Sequence, residues 1–331
     1  MKKKILLIHT GGTIGMVRDE AEGFLRPDRF FENLLAAIPE LSSLAEIETE
    51  IPFVFDSAEL NFAHWQKLAA IIQARAGSVD GAVILHGTDT LAYTASALSY
   101  MLANPPLPVV LTGAQKPLAD LRTDARSNLI NAIQLATEER IHEVAVCFDS
   151  RLMRGNRVTK SHITHFDAFS SPNYPLLAQV GIDIEVFSQN LLRPEGLFHV
   201  FDRFDRAVAV LKLFPGIEPD WFQPGPEVRA VLIIGFGAGT VPLQSGGLPA
   251  RVEKWQAEGK LVVLMSEAKA GKSDPALYES GSRLLDMGVL PTADMTFEAT
   301  ITKIMFLLGQ FGEAEMVRQN FPRPLAGERS V

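Results

Sequence analysis

Three short segments of this chain set hydroxyl, carboxylate or amide side chains beside glycines where an apolar run gives way to a turn. The first is HTGGTIGM, His9 to Met16, in which Gly11 and Gly12 let the backbone turn sharply and Thr13 can present its hydroxyl to solvent. The second, LHGTDTLAYT from Leu85 to Thr94, puts Thr88 and Asp89 at the start of a helical pattern, and the third is LTGAQKP from Leu111 to Pro117. A threonine hydroxyl attacks a carbonyl carbon only when a positioned base takes its proton. The oxyanion that then forms needs donors, for which turn N–H groups near Thr13, after Gly87 or around Ala114 are suitable. Taken singly, TGGT also serves as a plain turn or phosphate cradle, and Thr88 or Asp89 as a helix N-cap. Two strand ends with threonine next to glycine shift the reading toward catalysis: if both face one crevice, two hydroxyls and a carboxylate converge, which a purely structural sheet does not require.

A parallel sheet is what could bring them together. Ile5 to Ile8, Ala82 to Leu85, Val109 to Leu111 and Val144 to Phe148 are apolar without alternation, as strands covered on both faces are. Between them Leu91, Ala95, Leu98 and Leu102 share one helical face, and Leu129, Ile133 and Ala136 share another. The alternation predicts an α/β fold, whose ligand crevice lies at the carboxyl ends of the strands where strand order reverses. Val208 to Leu213, Ala230 to Ile234 and Leu261 to Met265 form a second strand set, with helices over Pro249 to Glu258 and Phe297 to Leu308. The expected division is an N-terminal domain over residues 1–190, a linker over 191–210 and a smaller C-terminal α/β domain over 211–331.

Composition narrows the function. Lysine plus arginine total 31 against 39 aspartate plus glutamate, a net charge of −8, and the longest basic block is Lys2 to Lys4, so no nucleic-acid partner is expected. The lone Cys147 rules out an internal disulfide framework, fits a reducing, cytoplasmic compartment, and reads as a small core residue. Only Ile5 to Ile8 separate the N-terminal lysines from His9, short of the roughly 7–15 apolar residues of a secretion signal. No uncharged apolar run nears the roughly 20 residues of a membrane helix, so no membrane partner is expected. His162 and His165 are spaced as HxxH without further ligands nearby, which favours a hydrogen-bonded or solvent-facing pair over zinc. Gly271-Lys272-Ser273 is no phosphate loop, because Ser266 stands where that pattern needs glycine. Asp124 and Arg126 read most simply as a solvated helix start, with support of the third strand end as the alternative.

HTGGTIGM, LHGTDTLAYTASAL, LTGAQKPL and RGNRVTKSH (Arg154 to His162) resemble, in order and spacing, motifs of the bacterial type I, cytoplasmic L-asparaginases. The likeness continues through Phe166 to Asn173 and DMTFEATITK (Asp294 to Lys303), and so covers essentially the whole chain. It implies hydrolysis of L-asparagine, and more slowly of L-glutamine, through an acyl intermediate on Thr13, with no metal or organic cofactor. Thr88, Asp89 and Lys160 match the family's second catalytic group, in which lysine and threonine relay a proton and Asp89 holds the substrate α-ammonium. Asp56, Ser57 and Ala58, in DSAE, fall at the α-carboxylate subsite, and Ala114 is a further substrate-binding position. The family fold is a larger flavodoxin-like N-terminal domain with a smaller C-terminal α/β domain, assembled as a homodimer or homotetramer.

Burial would favour a neutral Lys160 and Asp89 a charged one, which leaves open whether Lys160 or Thr88, through a water, takes the nucleophile's proton. Phe24 stands where the family has a tyrosine supporting the nucleophile, so activity is expected to persist at a lowered rate. Ile234 and Ala268 replace the arginine and cysteine of an effector-asparagine site, and activation by asparagine is not expected. Thr240 stands where some relatives carry an asparagine that reaches into a neighbouring subunit. The alternative function is a catalytically weak or inactive protein that binds asparagine or aspartate for regulation. Retention of Thr13, Thr88, Asp89 and Lys160 together favours the enzyme. An amidotransferase subunit is less favoured, because the sequence opens at the first strand without an RNA-handling domain.

Overall fold

Ile5, Leu6, Leu7 and Ile8 have no polar member to turn toward water, and all four are completely buried on an interior strand of a sheet. The computed structural model describes residues 2–18, 25–27, 37–243 and 247–330, and Phe24 lies outside the described residues. The chain divides into two units, Met1–Asp202 and Arg203–Val331.

In chain order the first unit contains β1 (Lys4–His9), β2 (Glu46–Glu50), α1 (Phe62–Arg75), β3 (Gly81–Leu85), α2 (Leu91–Met101), β4 (Val109–Thr112), α3 (Ala125–Ala136), β5 (Val144–Phe148), β6 (Arg151–Arg154), β7 (Ala178–Val180) and β8 (Ile184–Val186). These eight strands lie in the order β8-β7-β6-β5-β4-β3-β1-β2. Pairings from β2 across to β5 are parallel, and those from β5 through β8 are antiparallel. The parallel part is therefore the flavodoxin-like order 2-1-3-4-5, which reverses direction between β1 and β3. Register places His9 opposite Leu85 and Leu85 opposite Thr112, so three strands finish level at the reversal point. Strand β2, EIETE, was not anticipated because it alternates charge with bulk, as an edge strand does.

Helices cover both faces of this sheet. Leu129, Ile133 and Ala136 of α3 join Ile5, Leu7, Val83, Leu85, Val110 and Cys147 in one buried cluster. Each fully buried leucine, isoleucine or valine there contributes about 1.5–3 kcal/mol. Burial also pushes the Cys147 thiol up to about 12, so it stays protonated as a core residue. Helix α1 starts on a capping box: the Asn61 side chain accepts the Ala63 N–H at 3.1 Å, and His64 Nδ1 accepts the Asn61 N–H at 3.1 Å.

The second unit contains β9 (Val208–Lys212), β10 (Ala230–Gly235), α4 (Leu248–Ala257), β11 (Leu261–Ser266), α5 (Glu279–Asp286), β12 (Leu290–Pro291), α6 (Phe297–Phe311) and α7 (Ala314–Asn320). Its strands pair in parallel in the simple order β9-β10-β11-β12. Val231, Ile233, Val252, Trp255 and Leu264 fill its core. Lys303 on α6 and Glu328 are both fully buried and ion-paired. Glu328 also accepts the N–H groups of Leu325 and Ala326 at 3.0 and 2.9 Å, which ties the segment beyond α7 to α6. Burial holds the Lys303 ammonium below its ordinary range, with Glu328 opposing that shift. Among the described residues no helix is long and apolar enough to cross a membrane.

Candidate active site

Three loops leave β1, β3 and β4 at the reversal point, and glycines let their backbones touch. Gly11 and Gly12 have φ of +109° and +87°. A β-carbon on Gly12 would lie 2.6 Å from the Gly87 Cα, one on Gly87 2.6 Å from Ser57 Oγ, and one on Gly113 2.4 Å from the His86 carbonyl oxygen. No other residue type fits these contacts, so the threonines that follow Gly12 and Gly87 leave adjoining stretches of backbone. The two threonines of TGGT have different positions. Thr10 is buried and donates through both N–H (3.0 Å) and Oγ1 (2.9 Å) to the Leu85 carbonyl, tying β1 to β3. Thr13 opens a one-turn helix, Thr13–Gly15, whose Ile14 carbonyl accepts the Leu118 N–H of the third loop at 3.3 Å.

Lys160 arrives from far along the chain. Strand β6 leads to it past Arg154, whose guanidinium is buried against Glu143 at 2.6 Å and lies 4.2 Å from the Tyr174 ring centre. The Thr159–Lys160 strand then pairs with Phe169–Ser170. Lys160 Nζ donates to Thr88 Oγ1 at 2.8 Å and to Asp89 Oδ1 at 2.7 Å. Thr88 in turn donates to Gln115 Oε1 at 3.3 Å, and Gln115 Nε2 reaches the His165 carbonyl at 3.2 Å. Neither Thr88 nor Asp89 is the helix cap: α2 begins at Leu91 behind Thr90, whose hydroxyl donates to the Ser57 carbonyl at 2.8 Å. Asp89 keeps most of its side chain exposed, while Lys160 is largely covered.

Ser57 is buried, and Asp56 Oδ1 accepts the Ala58 N–H at 2.9 Å, capping the Ser57–Glu59 turn. Ala114 is buried with the core cluster, so what it can offer a ligand is backbone.

Asp124 corrects the reading of a solvated helix start. It is buried, and its carboxylate accepts the N–H groups of Gln115 and Lys116 at 3.0 and 3.1 Å and the Asn128 amide at 3.0 Å. Burial pushes its carboxyl upward, opposed by those same donors. Arg126, by contrast, is exposed and ion-paired with Glu40. Gln115, the amide that connects Thr88 to the loop after Lys160, was not singled out in the sequence although it lies within the third segment. His9 and His86 flank the contact, and burial lowers them from 6.5 to about 3 and about 4, so both are neutral.

The remaining candidates fall elsewhere. The His162 and His165 rings lie 5.1 Å apart, and the His165 carbonyl serves Gln115 as described. Ile234 is on β10 and Ala268 just beyond β11, at neighbouring strand ends of the second sheet. Thr240 closes a small antiparallel bridge with Phe236.

A reversed parallel sheet with hydroxyls, a carboxylate and an ammonium gathered at its switch point defines a class of α/β proteins that act on small polar ligands. The family model for Asparaginase, N-terminal, matches residues 4–192, and that for the Glutaminase/Asparaginase C-terminal domain matches residues 207–321. The chain belongs to the asparaginase family, with its type I members. It is 39% identical to L-asparaginase 1 of Escherichia coli K12, over 99% of this chain and 98% of that one. Identity to the L-asparaginase of Thermococcus kodakarensis is 37%, over 98% of both chains. The crystal structure of L-asparaginase I from Vibrio cholerae superposes with a TM-score of 0.89 at 38% identity, covering 100% of both chains.

Proposed function

We propose that this protein hydrolyses L-asparagine to L-aspartate and ammonia through an ester on Thr13. The observation that carries this is Lys160 bonded to both Thr88 and Asp89 beside the Gly12–Gly87 contact that sets Thr13. Thr13 Oγ1 attacks the side-chain amide carbon and its proton passes to the Thr88–Lys160 pair. Turn N–H groups at Thr13, Thr88 or near Ala114 hold the oxyanion. The C–N bond then breaks as the relay returns a proton to the leaving ammonia. Water hydrolyses the ester by the same route and regenerates Thr13. Asp89 is suited to the substrate α-ammonium, and Ser57 in the turn capped by Asp56, with Ala58, to its α-carboxylate.

On this reading residues 1–190 carry the chemistry, 191–210 connect, and 211–331 form the smaller C-terminal domain. The protein works in the cytoplasm, as the lone Cys147 favours, and as a homodimer or homotetramer. L-glutamine is the slower substrate, since one methylene is worth only about 1–3 kcal/mol of discrimination. The test is ammonia release from each amide by the wild type and Thr13→Ala, which is expected to lose at least about 10³-fold. Absence of ammonia from the wild type, with asparagine still raising the melting temperature, would make the chain a binder.

A further inference from the structure

His86 joins β3 to Thr88 and has no part in the steps above, yet its ring is buried and meets a polar atom at each nitrogen. Nδ1 lies 2.8 Å from the Gly87 carbonyl oxygen, and Nε2 lies 2.9 Å from Thr94 Oγ1 on α2. Thr94 Oγ1 also accepts the indole N–H of Trp65 on α1 at 3.0 Å. A carbonyl oxygen has only lone pairs, so Nδ1 must carry the ring hydrogen. Burial excludes the imidazolium, which leaves Nε2 bare to accept the Thr94 hydroxyl. An indole only donates, so the single Thr94 hydrogen is directed to His86. Each link of the chain Trp65, Thr94, His86, Gly87 therefore runs in one direction.

The last link bears on chemistry. A trans peptide holds its C=O and N–H antiparallel, so anchoring the Gly87 oxygen sets the direction of the Thr88 N–H. The same backbone is hemmed in: a β-carbon on Gly12 would lie 2.6 Å from the Gly87 nitrogen, and one on Gly113 2.4 Å from the His86 carbonyl oxygen.

We propose that His86 is a positioning residue whose Nδ1-protonated tautomer, fixed by Thr94 and Trp65, locks the Gly87–Thr88 peptide so that the Thr88 N–H meets the oxyanion. This rests on the amidohydrolase reading. It gives a role to a buried imidazole whose ring nitrogens meet Thr94 and the Gly87 carbonyl behind the Gly12–Gly87 contact.

The test joins a tautomer readout to kinetics. Long-range ¹H–¹⁵N spectra of histidine-labelled protein, with His86 assigned by its loss in His86→Asn, are expected to show a neutral ring protonated at Nδ1. Thr94→Val is expected to lower kcat for asparagine about tenfold with KM changed less than about twofold, and Thr94→Ser to recover most of the loss. His86→Asn, whose amide can still donate to the Gly87 carbonyl, is expected to retain more kcat than His86→Leu. A wild-type ring protonated at Nε2, or an active enzyme whose kcat is indifferent to Thr94→Val, overturns the positioning role alone. A wild type that releases no ammonia overturns the amidohydrolase reading and the role with it.

Discussion

At the carboxyl end of the first sheet, Lys160 is bonded to Thr88 and to an Asp89 carboxylate that is 70% exposed; in the second unit, Lys303 and Glu328 are both at 0%. Each pair joins a lysine to a carboxylate, but only the first leaves its carboxylate open to a ligand. The sheets differ likewise. The first reverses its strand order between β1 and β3, which splays the connections to opposite faces and leaves a crevice. The second runs in one direction, and the hydroxyls at and beyond the end of β11 are committed internally, Ser266 to the Gly237 carbonyl and Ser273 to the Ala238 carbonyl at 2.9 Å. Chain topology, more than residue type, decides which strand end is a site.

Exchanging the two lysines for methionine tests this most strongly. Lys303→Met leaves Glu328 buried without its ion-pair partner and is expected to cost about 3–5 kcal/mol in urea unfolding. Lys160→Met is expected to change stability by under about 1 kcal/mol while lowering turnover about 10²–10⁴-fold. Two glycines make the next comparison. Gly12→Ala brings a β-carbon against Gly87 and is expected to cost at least about 10² in kcat, because small displacements of reacting groups are that damaging. Gly271 also has a positive φ, +103°, but a β-carbon there meets nothing within 4 Å, so Gly271→Ala should cost only about 1–2 kcal/mol of backbone strain and leave turnover intact.

The buried histidines make the first unit acid-sensitive. His9 and His86 are lowered to about 3 and about 4 from 6.5, so between these values the unfolded chain binds more protons than the fold. Their contribution is complete above about pH 6.5 and is lost as pH falls through 4 and then 3, amounting to about 2 kcal/mol per histidine already at pH 5. Urea midpoints at pH 7 and pH 5 should show this, with a smaller difference in His86→Asn. The smallest expected effect is on cooperativity. With Ile234 and Ala268 at neighbouring ends of the second sheet, the asparagine saturation curve should be hyperbolic, and a sigmoidal curve would overturn that expectation.

The unalternating strands were legible because burial on both faces leaves its mark on every residue of Ile5 to Ile8 or Val144 to Phe148. Strands β2, β7 and β8 were not, since short or alternating edge segments look like loops in a linear pattern. The threonine–glycine segments marked the site, but Lys160 meets Asp89 across 71 residues, a contact that local periodicity cannot encode and that only the family resemblance supplied. Asp124 read as solvated because a carboxylate usually is; two N–H donors from one tight loop and the Asn128 amide of α3 are what hold it inside. His86 carried no signal of its own, as its importance depends on Thr94 and Trp65 arriving from two helices.

Strand β2 has a consequence for how the molecule behaves when crowded. It is the outermost strand beside β1, with one ladder of backbone groups unpaired within the sheet, a template on which another chain could add itself. Glu46, Glu48 and Glu50 recur at every second position along it, and Arg75 engages Glu48 and Glu50. An incoming strand would have to accommodate this charged row. The alternation that hid β2 from the sequence pattern thus sets a charged row along an edge where strand addition would otherwise begin.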